Sequence, residues 1–94
     1  MMSAYSKGAN FERRVRDYLQ DIGFLVWRSA GSRTPIDIIA LKAGEVLLVQ
    51  CKLDGRLGEK DRYCLNLLAD ELQCRVMLAW REGRELKLEE VKDA

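Results

Sequence analysis

Apolar residues recur along the first third of the chain at helical spacing. From about Gly8 to Asp21, with Ile22 just beyond, the positions Phe11, Val15, Tyr18, Leu19 and Ile22 line one side of a helix, and Gly23 follows as a stop signal. The pattern then changes to short apolar and β-forming runs. Phe24 to Arg28 reads as a strand that ends in the small polar stretch Ser29-Ala30-Gly31-Ser32. Ile36 to Leu41 and Glu45 to Lys52 read as two further strands, and Lys42-Ala43-Gly44 between them is short enough for a hairpin. After an Asp54 to Gly58 loop, residues 59–73 predict a second helix carrying Tyr63, Leu65, Leu67, Leu68 and Leu72, and Arg75 to Trp80 returns as a strand. A last short strand near Glu85 to Leu88 is possible.

This order, α-β-β-β-α-β, describes an α/β sandwich with a mixed sheet in which the second helix crosses from the third strand to the fourth. Many proteins share the order, so it decides nothing about function. Ninety-four residues are expected to make one domain, 1–94, with no internal repeat or linker and a single proline, Pro35.

Composition narrows the chemistry. With no histidine anywhere, Ser-His-Asp triads, Cys-His dyads and histidine-ligated metals are excluded. Three cysteines, Cys51, Cys64 and Cys74, lack CxxC spacing and read as reduced structural thiols. Apolar runs such as Val46 to Val49 are too short to span a bilayer, so no membrane is expected and the location should be cytoplasmic. What remains is chemistry run on carboxylates, lysine and an oxygen-bound metal.

Net charge is only +1, but its distribution is uneven. Residues 1–34 set Lys7, Arg13, Arg14, Arg16, Arg28 and Arg33 against Glu12, Asp17 and Asp21, which leaves +3. From Tyr63 onward acidic residues exceed basic ones by two. The amino-terminal part suits phosphate, and its cations could replace counterions along a duplex; a merely solvated basic face is the plainer alternative. The few aromatics give no support for stacking on single-stranded bases.

Asp37, Gln50 and Lys52 form the chemically suggestive group. Residues two apart on a strand share a face, so Gln50 and Lys52 project together while Cys51 points away, and Asp37 lies on the hairpin partner. A hard cation such as Mg2+, with Mn2+ as a substitute, takes oxygen ligands and keeps several waters. Asp37 supplies charge, Gln50 a side-chain oxygen and Cys51 its carbonyl, with Lys52 left to orient water or neutralise charge developing on phosphorus. Glu12, on the flank of the first helix's apolar stripe, could bind metal directly or through water; it could equally pair with Arg16 one turn on. Gln50 as polar filler and Lys52 as an edge lysine are the corresponding bland alternatives.

Lys7-Gly8-Ala9, Glu12-Arg13, the run from Gly23-Phe24 through Arg28-Ser29-Ala30-Gly31-Ser32, Asp37 and Gln50-Cys51-Lys52 closely resemble the archaeal Holliday junction resolvases in order and spacing. The likeness is dense over residues 7–52 and thins afterwards. It implies a restriction-endonuclease-like fold of the PD-(D/E)XK superfamily, with a central mixed sheet flanked by helices. It further implies a metal-dependent DNA endonuclease acting on branched DNA. By position it assigns metal and catalytic roles to Glu12, Asp37, Gln50 and Lys52, and places Arg13, Arg28 and Ser32 near the cleaved strand. Lys7, Arg16, Ser29 and Arg33 complete the expected DNA-binding set.

The family usually has glutamate where this chain has Gln50; a Gln-x-Lys pair resembles the Mrr-type restriction endonucleases. Two alternatives therefore stay open: a restriction- or repair-type nuclease on duplex or flap DNA, and a DNA-binding domain whose metal site Gln50 has weakened. A purely structural assembly protein would leave the acid-amide-lysine group unexplained. Finally, the second helix carries more apolar residues than one packing stripe needs, with Tyr63 and Leu67 on one side and Cys64, Leu65, Leu68 and Leu72 on another. The surplus points to a homodimer.

Overall fold

A computed structural model describes residues 4–29 and 34–91, with side chains from residue 7. The chain forms α1 (Ala4–Asp21), β1 (Leu25–Arg28), β2 (Ile38–Lys42), β3 (Glu45–Cys51), α2 (Glu59–Leu72), β4 (Arg75–Glu82) and β5 (Glu85–Glu90). The five strands make one sheet in chain order, β1-β2-β3-β4-β5, antiparallel throughout except for the parallel pair β3 and β4 that α2 connects. The last strand is fuller than its sequence promises, pairing from Glu82↔Glu85 to Met77↔Glu90.

The stop of α1 follows from Gly23, whose φ of 102° is readily open only to glycine. Gly23 N–H donates to Gln20 C=O at 3.0 Å and Phe24 N–H to Leu19 C=O at 3.0 Å. That bond pair is a Schellman stop, and its usual apolar clasp is present because Phe24 and Leu19 join the same core cluster. The chain therefore leaves α1 already turned towards β1. The second helix ends differently, on Gln73 with φ 52°, a left-handed conformation that strains a residue with a Cβ.

Two cores lie on opposite faces of the sheet. Phe11, Val15 and Leu19, one stripe of α1, pack on Ile38, Ala40, Leu47, Val49, Met77 and Ala79. On the other face α2 contributes Leu65 as its fully buried residue, set against Ile36, Leu48, Val76, Leu78 and Val91. That second layer is incomplete. Register places Leu25 opposite Leu41 and Leu41 opposite Val46, and Trp27 opposite Ile39, all on the α2 face. Yet all five remain exposed, Leu25 at 66% and Trp27 at 52%. No helix among the described residues is long and apolar enough to cross a membrane.

Candidate active site

The seam between β2 and β3 gathers the candidate residues where β2 runs out. Asp37 immediately precedes β2 instead of lying within it, but its backbone is fixed on both sides. Its N–H donates to Val49 C=O at 2.8 Å, and its C=O accepts from Ser29 N–H at 2.8 Å. Thus β1, β2 and β3 jointly set the position of one carboxylate, and Ser29, expected as a DNA contact, has its backbone N–H committed to holding it. Oδ2 of Asp37 accepts Cys51 N–H at 2.8 Å and a longer bond from Gln50 Nε2 at 3.4 Å.

Gln50 is buried, at 6% exposure. By alternation it shares the α2 face with Leu48, while Cys51 packs with the α1 core. Its Oε1 lies buried with no hydrogen-bond partner among the described residues. A buried amide oxygen left unsatisfied costs about 1–3 kcal/mol, so such atoms are uncommon without a reason. Lys52 stands one residue beyond β3, kept in register by its N–H bond to Ala79 C=O at 2.9 Å, and its charge acts on Asp37. The turn after it closes through Gly55 N–H to Lys52 C=O at 2.9 Å, with Gly55 at φ 72° against the Trp80 ring.

Glu12 approaches from the other face, half-buried on the flank of α1. Its partner is Arg28 at the end of β1, with Nη2 at 3.7 Å from Oε1, whereas Arg16 pairs with Asp17 at 2.9 Å. Arg28 is itself half-buried, and its Nε is a second orphaned polar atom. Burial pushes the Glu12 carboxyl above its usual value, the nearby Asp37 charge adds to this, and Arg28 partly offsets it. Burial likewise raises Asp37, against the opposing pull of the Cys51 N–H and of Lys52. The Cys51 thiol is driven far up by burial and by both carboxylates, so it is inert as a nucleophile. All three cysteines are free.

Asp37 thus lies beside the Gln50 amide and within the electrostatic reach of Glu12, and burial raises both carboxyls. Among the described residues no three Asp, Glu, His or Cys side chains cluster, so any further protein oxygen for a cation would come from Gln50 or the backbone, with water completing the set. Lys52 N–H points to β4 and Cys51 N–H to Asp37. Strand alternation therefore sends the Cys51 carbonyl to the same side as its own N–H, towards the carboxylate. The donor set fits a hard, oxygen-seeking divalent cation.

Of the other expected DNA contacts, Lys7 and Arg13 are exposed on α1, Arg13 donating to Asn10 Oδ1 at 3.0 Å, and Arg16 is half-buried. Ser32 and Arg33 lie outside the described residues. Sequence reasoning did not find Arg28 as the partner of Glu12, nor the approach of Arg14 to Arg84, whose C=O accepts from Nη2 at 2.6 Å. Neither pairing has a local signal, since each joins a helix flank to a distant strand or turn.

A mixed five-stranded sheet flanked by helices, with an acid, an amide and a lysine at the end of the β2–β3 seam, is a restriction-endonuclease-like domain. The chain belongs to the archaeal Holliday junction resolvase (Hjc) family, whose model matches residues 3–92. It is 45% identical over 56 residues to the crossover junction endodeoxyribonuclease Hjc of Methanocaldococcus jannaschii. That match takes in 60% of this chain but only 41% of the relative's length. The fold is similar to Archaeoglobus fulgidus Hjc, a Holliday junction resolvase, with a TM-score of 0.77 and 26% identity over 92% of this chain and 74% of that one.

Proposed function

We infer that the protein is a divalent-metal-dependent endonuclease hydrolysing phosphodiester bonds in DNA, with four-way junctions as its preferred substrate. The observation that carries this reading is the buried Gln50, whose amide reaches the Asp37 carboxylate and whose Oε1 has no partner among the described residues, within a family whose curated and solved members are named as junction-cleaving enzymes. Asp37, Glu12, Gln50 Oε1 and the Cys51 carbonyl would hold Mg2+, with Mn2+ as a substitute. Such an ion polarises the phosphate and lowers the pKa of a bound water. Lys52, whose charge acts on Asp37, would orient the attacking water or offset charge building on the phosphate oxygens. Arg28, half-buried and 3.7 Å from Glu12, would hold that carboxylate in position. Arg13, Lys7 and Arg16 on α1 supply charge for the phosphate backbone, and Ser32 and Arg33 extend the proposed contact set.

The exposed half of the α2 face favours a homodimer. Leu25, Trp27, Ile39, Leu41 and Val46 form one contiguous surface, and Leu72 of α2 lines a groove with Val46 and Leu48, so helix and sheet continue each other. A contiguous apolar surface of this kind is the sort that marks an interaction site on a folded protein. A second copy related by a twofold would cover it with the same residues and set two sites for the paired strands of a junction.

One observation favours a second reading, that of a DNA-binding domain with a weakened site. The Gln50 amide donates to Asp37, satisfying part of a carboxylate that a metal would otherwise use. Labelled four-way junction and linear duplex, each incubated with and without Mg2+ or Mn2+, separate the readings. The nuclease reading expects metal-dependent junction cleavage. Binding that survives chelation, with no cleavage in Mn2+ and none restored by Gln50→Glu, favours the second.

A further inference from the structure

The flank of α1 opposite Glu12 bears a second cationic site. Lys7, Asn10 and Arg14 lie on one side of α1, and Glu12 is rotated well away from them, at 100° per residue. Together with Phe11, Leu53 and Arg81, these three residues line a cleft of about 350 Å3. No acidic residue lines it, and among the described residues none of Lys7, Arg14 and Arg81 is in an ion pair. The walls are held in place from both sides. Arg14 Nη2 donates to Arg84 C=O at 2.6 Å, tying α1 to the β4–β5 turn, and Arg81 N–H donates to Leu53 C=O at 3.2 Å. A carbonyl takes up only part of a guanidinium's five donors and none of its charge.

We propose that this cleft binds the DNA backbone at phosphates away from the cleaved bond, so that Arg14 and Arg81 join Lys7 as contacts to an arm of the substrate. The proposal rests on the nuclease reading above and extends its contact surface. Leu53 adjoins Lys52, and α1 alone separates the cleft from the Glu12 side. The spacing is about one helix width, ~10 Å, or roughly three nucleotides at ~3.4 Å per step along a strand. A strand entering the metal site can therefore run on across α1 into the cleft. Phe11 and Leu53 give the floor an apolar surface without base-reading groups, and three unpaired cations with no carboxylate between them match the repeat of a polyanion better than a single small anion. The contact positions DNA and carries no sequence information.

The test is the salt dependence of junction binding, measured in chelator so that no cleavage occurs. Arg14→Gln combined with Arg81→Gln removes two charges from exposed side chains that make no ion pair among the described residues, and circular dichroism verifies that the variant is folded. Binding at moderate salt is expected to weaken about tenfold, and the slope of log K against log salt to become shallower by about two, one for each lost phosphate contact. Lys87→Gln, at a cation already paired with Glu85 at 3.0 Å, serves as the control and should leave the slope as it was. A double variant with the wild-type slope overturns the proposal. Cleavage by the unmodified protein in Mg2+, scored separately, tests the nuclease reading, so failure of one is distinguishable from failure of the other.

Discussion

The two faces of the sheet solve the same burial problem unequally. Under α1 a single stripe of Phe11, Val15 and Leu19 closes over strands from β2 to β4, and four strand residues there, Ile38, Ala40, Val49 and Ala79, are fully buried. Under α2 only the β3–β5 half is covered, and the β1–β2 half presents Leu25, Trp27, Ile39 and Leu41 to water. The closed face is a self-sufficient core that fixes α1, and with it Glu12. The open face leaves apolar side chains exposed, and the proposed homodimer would cover them. The proposed catalytic group sits where the two meet, at the end of the seam between β2 and β3.

The largest contrast should come from matched leucine truncations. Leu19→Ala on the closed face is expected to cost about 2–5 kcal/mol in chemical denaturation, the range for a fully buried leucine. Leu41→Ala on the open face should cost the isolated chain well under that, and equal losses would break the comparison. Next in size is the chemistry at the seam: Lys52→Ala should slow junction cleavage about 100- to 1,000-fold while binding in chelator changes little. Trp27→Asp should then split the homodimer, halving the mass by light scattering at micromolar concentration, with an association loss of about 2 kcal/mol or more. A wild-type protein that is already monomeric would remove the dimer.

A smaller effect tests the unbalanced charge. Glu12 and Asp37 have carboxyls raised above their ordinary values of 4.5 and 3.8, so between those values and the raised ones the folded chain holds more protons than the unfolded chain. Stability without divalent metal must therefore fall as pH rises through that window. Asp37→Asn keeps an acceptor for the Cys51 N–H but removes the charge. It should flatten the fall and raise Tm at pH 7 by about 2–4 °C in thermal melts without metal. Smallest of all, Gln73→Gly should relieve the left-handed end of α2 and add about 0.5–1 kcal/mol.

Much of this architecture was legible because its signals are local. The 3.6-residue stripe of α1, the Gly23 stop and the β-rich runs of β1 to β4 each follow from neighbours in sequence. The length of β5 was less so, since Glu85, Lys87, Glu89 and Glu90 read as surface, which is how an outer strand keeps its free edge from pairing. Asp37, Gln50 and Lys52 could be grouped from strand periodicity and hairpin pairing. That Asp37 would stand just outside β2, bound to the Cys51 N–H, could not, because three strands define its position. The Glu12–Arg28 pair and the Arg14–Arg84 contact were invisible for the same reason: they bridge elements that only the folded sheet brings together. Segment charge was misleading for Arg81, which lies in an acidic stretch of sequence yet lines a basic cleft.

The account depends on a cation being gripped at the seam, and calorimetric titration of Mn2+ into the DNA-free protein measures this directly. Wild-type protein is expected to take up about one ion per chain, with affinity reduced at least tenfold by Asp37→Asn and strengthened by Gln50→Glu, which supplies the charge the amide lacks. Identical Mn2+ binding by wild-type and Asp37→Asn proteins would contradict it.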